Sequence, residues 1–331
     1  MIRLIAAIAL ALAAALAQGQ PGALAQGHAG ARAPGQIGAR FSFALIGDMP
    51  YYSGEEWIFA DMLKDIDRED LAFVVHVGDF KSGASPCSDE LFAKRLQQFQ
   101  SVRHPFIFIP GDNEWTDCYR SGGDPLERLA KLRELFYSGD YSLGQRKFKL
   151  ERQSADPRFA EYRENMRWTI GAALFIGLNV PGSNNNFGRT PQMDEEYARR
   201  GLANAAWLSE GFDLAKKNGH AAVFIAIQAD PKFEPSFWRP ANTVDGYVAF
   251  RQELLEHTLA FGKPVILLHG DTHRYRVDHP LIDPATQKPL ERFTRIESFG
   301  APYIDWIRVS VDPADPKLLA IKTGKEINPA P

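Results

Sequence analysis

Four short apolar segments of this chain end in the same dipeptide. Ala44-Leu-Ile-Gly-Asp48, Val74-Val-His-Val-Gly-Asp79, Phe108-Ile-Pro-Gly-Asp112 and Ile266-Leu-Leu-His-Gly-Asp271 each run from core-type residues into Gly-Asp. A glycine there allows the tight turn that aims the next side chain away from the strand. In α/β sheets the residues just past the carboxyl ends of the strands face the ligand crevice. If the four strands are neighbours, Asp48, Asp79, Asp112 and Asp271 meet in one place. Converging carboxylates repel and raise each other's pKa unless a cation compensates them, and a divalent metal is the natural compensator. One Gly-Asp alone reads as a turn or a helix cap; four in succession after buried-type runs read as a site.

The elements that must position these residues are visible in the hydropathy. Apolar runs begin at Phe41, Leu71, Pro105, Ala172, Ala221 and Pro264, with a last one near Trp306. Helix signals lie between them. Ser53-Gly-Glu-Glu56 reads as a capping box, Ser88 as the cap of a helix through Gln100, and Asp124-Pro125 as a cap with proline at the first helical position. Met193–Lys217, broken near Gly201, and Val248–Phe261 complete the set. Such alternation predicts an α/β sandwich. Residues 138–168 and 229–246 fit no period and read as loops over one face. No linker rich in Pro, Gly or Ser interrupts 41–320, so one domain is expected.

Composition narrows the class. Among 331 residues, 38 Lys+Arg stand against 41 Asp+Glu, a formal charge of −3 that offers no case for nucleic acid or an acidic membrane surface. The 45% hydrophobic and 24% charged fractions exclude disorder for most of the chain. Arg3 precedes an unbroken Ala/Leu/Ile run, Leu4 to Leu16, followed by small-x-small patterns at Ala15-Leu16-Ala17 and Ala23-Leu24-Ala25. The expectation is a signal peptide over 1–17 (cleavage alternatively after 25), a flexible Ala/Gly/Pro/Gln leader over 18–40 and a folded domain over 41–331. That places the protein in a secreted or periplasmic setting with no stable membrane span after cleavage; a retained N-terminal anchor is the alternative. Cys87 and Cys118, on the loops after the second and third Gly-Asp, are placed to form a disulfide if those strands are adjacent; two free thiols are the alternative.

Taken in order, Gly47-Asp48-Met49-Pro50, Gly78-Asp79, Gly111-Asp112-Asn113-Glu114, Gln228 and Gly270-Asp271-Thr272-His273 resemble the metal-binding blocks of the calcineurin-like metallophosphoesterase superfamily. That signature runs D-x-H, G-D, G-N-H-[ED], a lone His and G-H-x-H, each at a strand end. The blocks span Phe41 to Tyr275, most of the mature chain. The resemblance implies a four-layer αββα sandwich with two central mixed sheets, and a two-metal site at the carboxyl ends of the strands. It also implies a small phosphoester substrate attacked by a metal-activated hydroxide.

The departures from that pattern are informative. By resemblance, the first metal position falls to Asp48, Asp79 and His273, because Pro50 replaces a histidine and cannot ligate. The second falls to Asp79, Asp112, Gln228 and Asp271. An all-oxygen set favours Mn, Mg, Fe or Ca over Zn, in one or two positions. Asn113 stands where the family has a histidine near the leaving group; its amide donates a hydrogen bond but has no titratable proton. Lys81 and Arg274, beside the second and last blocks, are candidates to hold phosphate oxygens. His76 reads as a packed core histidine, His269 as core or site lining, and Glu114 as an orienting group or a helix cap. Asn184-Asn185-Asn186 reads as a polar turn or a loop reaching the site. The leading expectation is an exported metal-dependent phosphoester hydrolase. The alternative is a metal-binding domain that kept the fold without turnover, and a solute-binding protein lacks the two-lobed repeat it would need.

Overall fold

A computed structural model describes residues 39–234 and 244–328. The expected signal segment and residues 18–38 of the expected leader lie outside the described residues. Among the described residues twelve strands form: β1 Phe41–Ile46, β2 Val74–His76, β3 Phe106–Phe108, β4 Glu151–Arg152, β5 Met166–Ile170, β6 Ala173–Gly177, β7 Ala222–Ala226, β8 Val265–His269, β9 Arg276–Asp278, β10 Phe293–Glu297, β11 Ile307–Val311 and β12 Leu319–Thr323. They build two mixed sheets, in the orders β12-β11-β1-β2-β3 and β4-β5-β6-β7-β8-β10-β9. β1, β2 and β3 run parallel, as do β6, β7, β8 and β10, and antiparallel pairings add β11 and β12 beside β1, β5 and β4 beside β6, and β9 beside β10.

Alternation along the strands sorts the core into layers, because successive side chains point to opposite faces. Phe175 and Phe224 face the other sheet, where Phe43 and Phe73 meet them at ring distances of 5.1–5.7 Å. Leu174, Ile176, Val223, Ile225, Val265 and Leu267 face the opposite way and pack with Trp207, Leu208 and Phe212 of the helix Pro191–Lys217 and with Leu254 of the helix Val248–Phe261. On the outer face of the first sheet, His76 packs between Phe59 of α1 (Glu56–Arg68) and Phe99 of α2 (Asp89–Ser101). Two sheets between two helical layers are the expected sandwich.

Most helix starts follow their local chemistry. Ser88 Oγ accepts from Leu91 N at 3.2 Å, and Asp124 Oδ1 accepts from Leu126 N at 2.8 Å ahead of Pro125, which opens α3 (Pro125–Phe136). Two helix expectations are corrected. Glu55, not Glu56, reaches back to the chain, accepting from Tyr51 N at 2.7 Å and Tyr52 N at 3.3 Å. Glu56 is taken instead by Arg95 and Lys94 at 2.8 and 2.9 Å. The helix also runs unbroken through Gly201, since its apolar face, Ala203, Trp207, Leu208 and Phe212, is buried; tertiary packing outweighs the roughly 1 kcal/mol that a mid-helix glycine costs.

Strand β4 falls inside the stretch read as loop and β5 crosses its end, and β10 carries charges that hide its period. In β5 the Arg167 guanidinium lies 3.9 Å from the Trp207 ring centroid. In β10, Arg295 is buried against Asp278 at 2.6 Å and against Glu234.

Cys87 and Cys118 form a disulfide with Cα atoms 5.7 Å apart, closing a sequence separation of 31. Replacing both cysteines with serine is expected to lower stability by roughly 3–4 kcal/mol in the chain-entropy account. Denaturant unfolding of the two proteins checks this; a difference under about 1 kcal/mol would mean the bridge does not constrain the unfolded chain.

Candidate metal centre

The parallel strands deliver their carboxyl ends to one edge of the sandwich. Asp48, Asp79 and Asp112 follow β1, β2 and β3; Gln228 and Asp271 follow β7 and β8. Asp48 (φ 53°), Asp79 (60°), Asp271 (79°) and His273 (61°) all adopt left-handed backbone, and so do Ser183 and Asn184 to Asn186. Each such residue costs on the order of 1 kcal/mol or more and persists only where its surroundings over-determine it. That cost is concentrated at this edge.

The four aspartates do converge. Asp271 N donates to both carboxylate oxygens of Asp48 at 3.0 Å. A single amide nitrogen, Gln228 Nε2, donates to Asp79 Oδ2 at 3.2 Å and to Asp112 Oδ1 at 3.1 Å. A Cβ on Gly182 would lie 2.8 Å from both Asp112 Oδ2 and Asp271 Oδ1, so only glycine fits between them. Asp48 and Asp79 are buried. Burial first, then the charges of Asp271 and Asp112, push the Asp48 carboxyl well above its ordinary range. Burial, then Asp112 and Glu114, do the same to Asp79. Asp271 is pushed up to about 8 by burial and then by Asp112.

His273 is oriented as a ligand. Its Nδ1 lies 2.6 Å from the Ala301 carbonyl, an acceptor only, so Nδ1 carries the proton and the Nε2 lone pair faces inward. Nε2 lies 3.7 Å from Asp48 Oδ1 and 3.1 Å from the Tyr51 hydroxyl, which itself lies 3.2 Å from Asp79 Oδ2. Among the described residues, no three His, Cys, Asp or Glu side chains are already spaced to hold an ion. Amide and hydroxyl donors draw the carboxylates aside instead. The chemistry of the donor set still fits a divalent cation at Asp48, Asp79 and His273: coupled, buried carboxylates beside an imidazole whose lone pair is held toward them.

Other expected residues are placed differently. The Lys81 ammonium is buried and donates to the carbonyls of Ser82 and Asn113 at 2.8 and 2.7 Å, so it braces the loop and does not face a substrate. Arg274 is exposed, with its backbone N near Glu297. Gln228 points its NH₂ group, not its oxygen, at the carboxylates. Asn113 Nδ2 donates to Tyr51 Oη at 3.1 Å and Asp79 Oδ2 at 2.9 Å, which engages both of its protons. Glu114 accepts from the backbone N–H groups of Asp79, Phe80 and Gly111, locking the β2 and β3 turns together. His269 is a buried residue beside Glu297 at 4.0 Å.

Several residues at this edge escaped the sequence. Tyr51 follows the first block directly; burial and the Asp79 charge push its hydroxyl well above the ordinary range, so it stays protonated. In the Asn-rich turn it is Ser183 that reaches inward, 2.7 Å from Asp112 Oδ2 and 2.8 Å from Asp117 Oδ1, while Asn185 anchors the turn to Gly246. Asp117 also carries Arg120 at 2.9 Å and Arg189 at 3.8 Å. A polar residue directly after an Asp block, and a polar turn after β6, were the only local signals.

The family model described as calcineurin-like phosphoesterase matches residues 41–275. No curated protein sequence matches the chain. Among solved structures, the chain is similar to a structure of PhoD, with a TM-score of 0.53 at 15% identity over 88% of this chain and 70% of that one. It is also similar to purple acid phosphatase PPD1 from yellow lupin (Lupinus luteus) seeds, with a TM-score of 0.49 at 13% identity over 88% of this chain and 54% of that one. At such identities the first likeness shows the fold.

Proposed function

The chain belongs to the calcineurin-like phosphoesterase family, a family of metal-dependent phosphoester hydrolases, and we propose that it is exported and cleaves a small phosphoester at the Asp48–Asp79–His273 centre. The convergence of strand-end carboxylates from both sheets beside the His273 lone pair carries this reading. On it, residues 1–17 are the signal peptide, 18–40 the leader and 41–331 the hydrolytic domain. Among the described residues no helix is long and apolar enough to cross a membrane.

A divalent cation bound there would supply Lewis-acid polarisation of phosphoryl oxygens and lower the pKa of an attacking water. The chain's own residues do the rest. Asp48, Asp79 and His273 would hold the cation, with His273 kept in its tautomer by the Ala301 carbonyl. Tyr51 and Asn113 direct their donors at Asp79 and at each other, which holds that carboxylate in place. Neither Asn113 nor the sequestered Lys81 is placed to protonate a leaving group. Substrates whose leaving group needs no proton are therefore favoured. The same observation supports a second reading, a metal-binding domain without turnover.

The test uses mature protein, stripped with chelator and reloaded with Mn²⁺, assayed on p-nitrophenyl phosphate and bis(p-nitrophenyl) phosphate. Turnover of either substrate that appears with Mn²⁺ and vanishes on chelation is expected. Binding of Mn²⁺ with no turnover of either would establish the second reading.

A further inference from the structure

Gln228 is buried and does not move freely. A Cβ on Gly78 would come within 2.6 Å of Gln228 Cγ and 2.7 Å of Gly111 Cα, so the glutamine stem lies against the backbone of both turns. One end of its amide faces the Gly182 backbone N–H, a donor. A donor must meet an acceptor, so that end is the oxygen, and the NH₂ group is committed to the other side. There it lies 3.2 Å from Asp79 Oδ2 and 3.1 Å from Asp112 Oδ1, each oxygen taking one N–H. Turning the amide over would set donor against donor at Gly182 and three oxygens against one another at the carboxylates.

The nitrogen thus stands where a cation shared by Asp79 and Asp112 would stand. Divalent cations such as Mg²⁺ sit about 2.0–2.1 Å from their oxygens, and nothing else fits between those two atoms and the amide. The remaining groups on that side are already engaged: Asp112 Oδ2 with Ser183 at 2.7 Å, and Asp271 Oδ2 with Asp230 N at 2.9 Å. On the other side, Asp48 and the His273 lone pair lie 3.7 Å apart; the donors there are the Asp271 backbone N–H on Asp48 and the Tyr51 hydroxyl 3.1 Å from Nε2, whose rotatable proton leaves its oxygen able to face a cation.

From this geometry we infer that the chain binds a single divalent cation, on Asp48, Asp79 and His273, and that the Gln228 amide permanently occupies the second position, donating hydrogen bonds to Asp79 and Asp112 in place of an ion. The inference rests on the metal-centre reading proposed above and specifies its stoichiometry. It makes Gln228 a positioning residue that fixes the number of ions. In the protein one N–H pair stands in place of a 2+ charge, so the phosphoryl group would face one ion.

The test is Mn²⁺ binding to chelator-stripped mature protein, with elemental analysis per chain and electron paramagnetic resonance of the bound ion. Wild type is expected to take up a single Mn²⁺ with the six-line spectrum of an isolated ion. Gln228→Glu keeps the shape and still accepts from Gly182 N–H but turns the other end from donor to acceptor; it is expected to bind a second Mn²⁺ and show a spin-coupled spectrum. Gln228→His is a second route to the same doubling if the glutamate variant does not fold, with circular dichroism as the control. A coupled pair in wild type would overturn the inference and leave the metal-centre reading standing. So would a single ion in both variants when folded. No Mn²⁺ bound by wild type or either variant would overturn the metal-centre reading and this inference with it.

Discussion

Asp79→Asn is expected to abolish metal-dependent phosphoester turnover, by roughly 10³-fold or more, and to strip most of the bound cation. The magnitude follows from losing a cation worth several kcal/mol of charge stabilisation, at about 1.4 kcal/mol per factor of ten. The surroundings explain why so conservative a change is severe. Asp79 Oδ1 accepts from Asn113 N at 3.0 Å, while Oδ2 accepts from Asn113 Nδ2 at 2.9 Å and Gln228 Nε2 at 3.2 Å, with the Tyr51 hydroxyl at 3.2 Å. Every neighbour is a donor, and only an acceptor-only group satisfies them all. An asparagine must turn its NH₂ toward one set, leaving a buried donor facing a donor. The variant should therefore fold, with a stability cost of about 1–3 kcal/mol, and lose both ligand charge and the Tyr51–Asn113 arrangement. Elemental analysis and kcat/KM of the folded variant check this; unchanged metal content would remove Asp79 from the centre.

The second large effect is on pH. In chelator-stripped protein, burial and mutual repulsion hold Asp48 and Asp79 well above their ordinary range and Asp271 at about 8, and burial against the pull of Lys81 holds Glu114 at about 7. A carboxyl whose folded pKa is raised binds its proton more tightly when folded. Its contribution is fully present below the unfolded value near 4 and is lost as pH rises through the folded one. Buried histidines act in the opposite window. Burial lowers His76 to about 3 and His269 to about 4, so they withdraw stability only as pH falls below about 6.5. Between about pH 6.5 and 9 these carboxylates lower stability as pH rises, while the Lys81 ammonium, whose pKa is lowered by burial, works in the other direction. The thermal midpoint of stripped protein should fall steadily across that interval, and saturating Mn²⁺ should flatten or reverse the slope, because the cation replaces the protons. A stripped protein with a level midpoint over this range would show that the carboxylates are not coupled.

How much of this was legible in the chain depends on the range of the forces involved. The α/β alternation, the caps at Ser88 and Asp124, and the four Gly-Asp turns are written locally: a run of buried-type residues, then a residue able to take the backbone into a tight turn. Sequence alone therefore determined the α/β sandwich and its strand-end aspartates, while the pairing of Cys87 with Cys118 waited on the adjacency of β2 and β3. It did not determine what each side chain would meet. Lys81 sits next to an Asp block yet is consumed by carbonyls of its own loop and of Asn113. Strand β10 carries Arg295 and Glu297 inside the fold, where ion partners on the neighbouring strand β9, Asp278 and Arg276, replace the apolar period. The orientation of Gln228 hangs on the N–H of Gly182, 46 residues earlier in the chain. Hydrogen-bond direction and burial arise between segments that meet only after folding, and the same residue letter is compatible with a donor or an acceptor at the site. Only the tertiary structure decided that the amide at the heart of this centre presents its nitrogen.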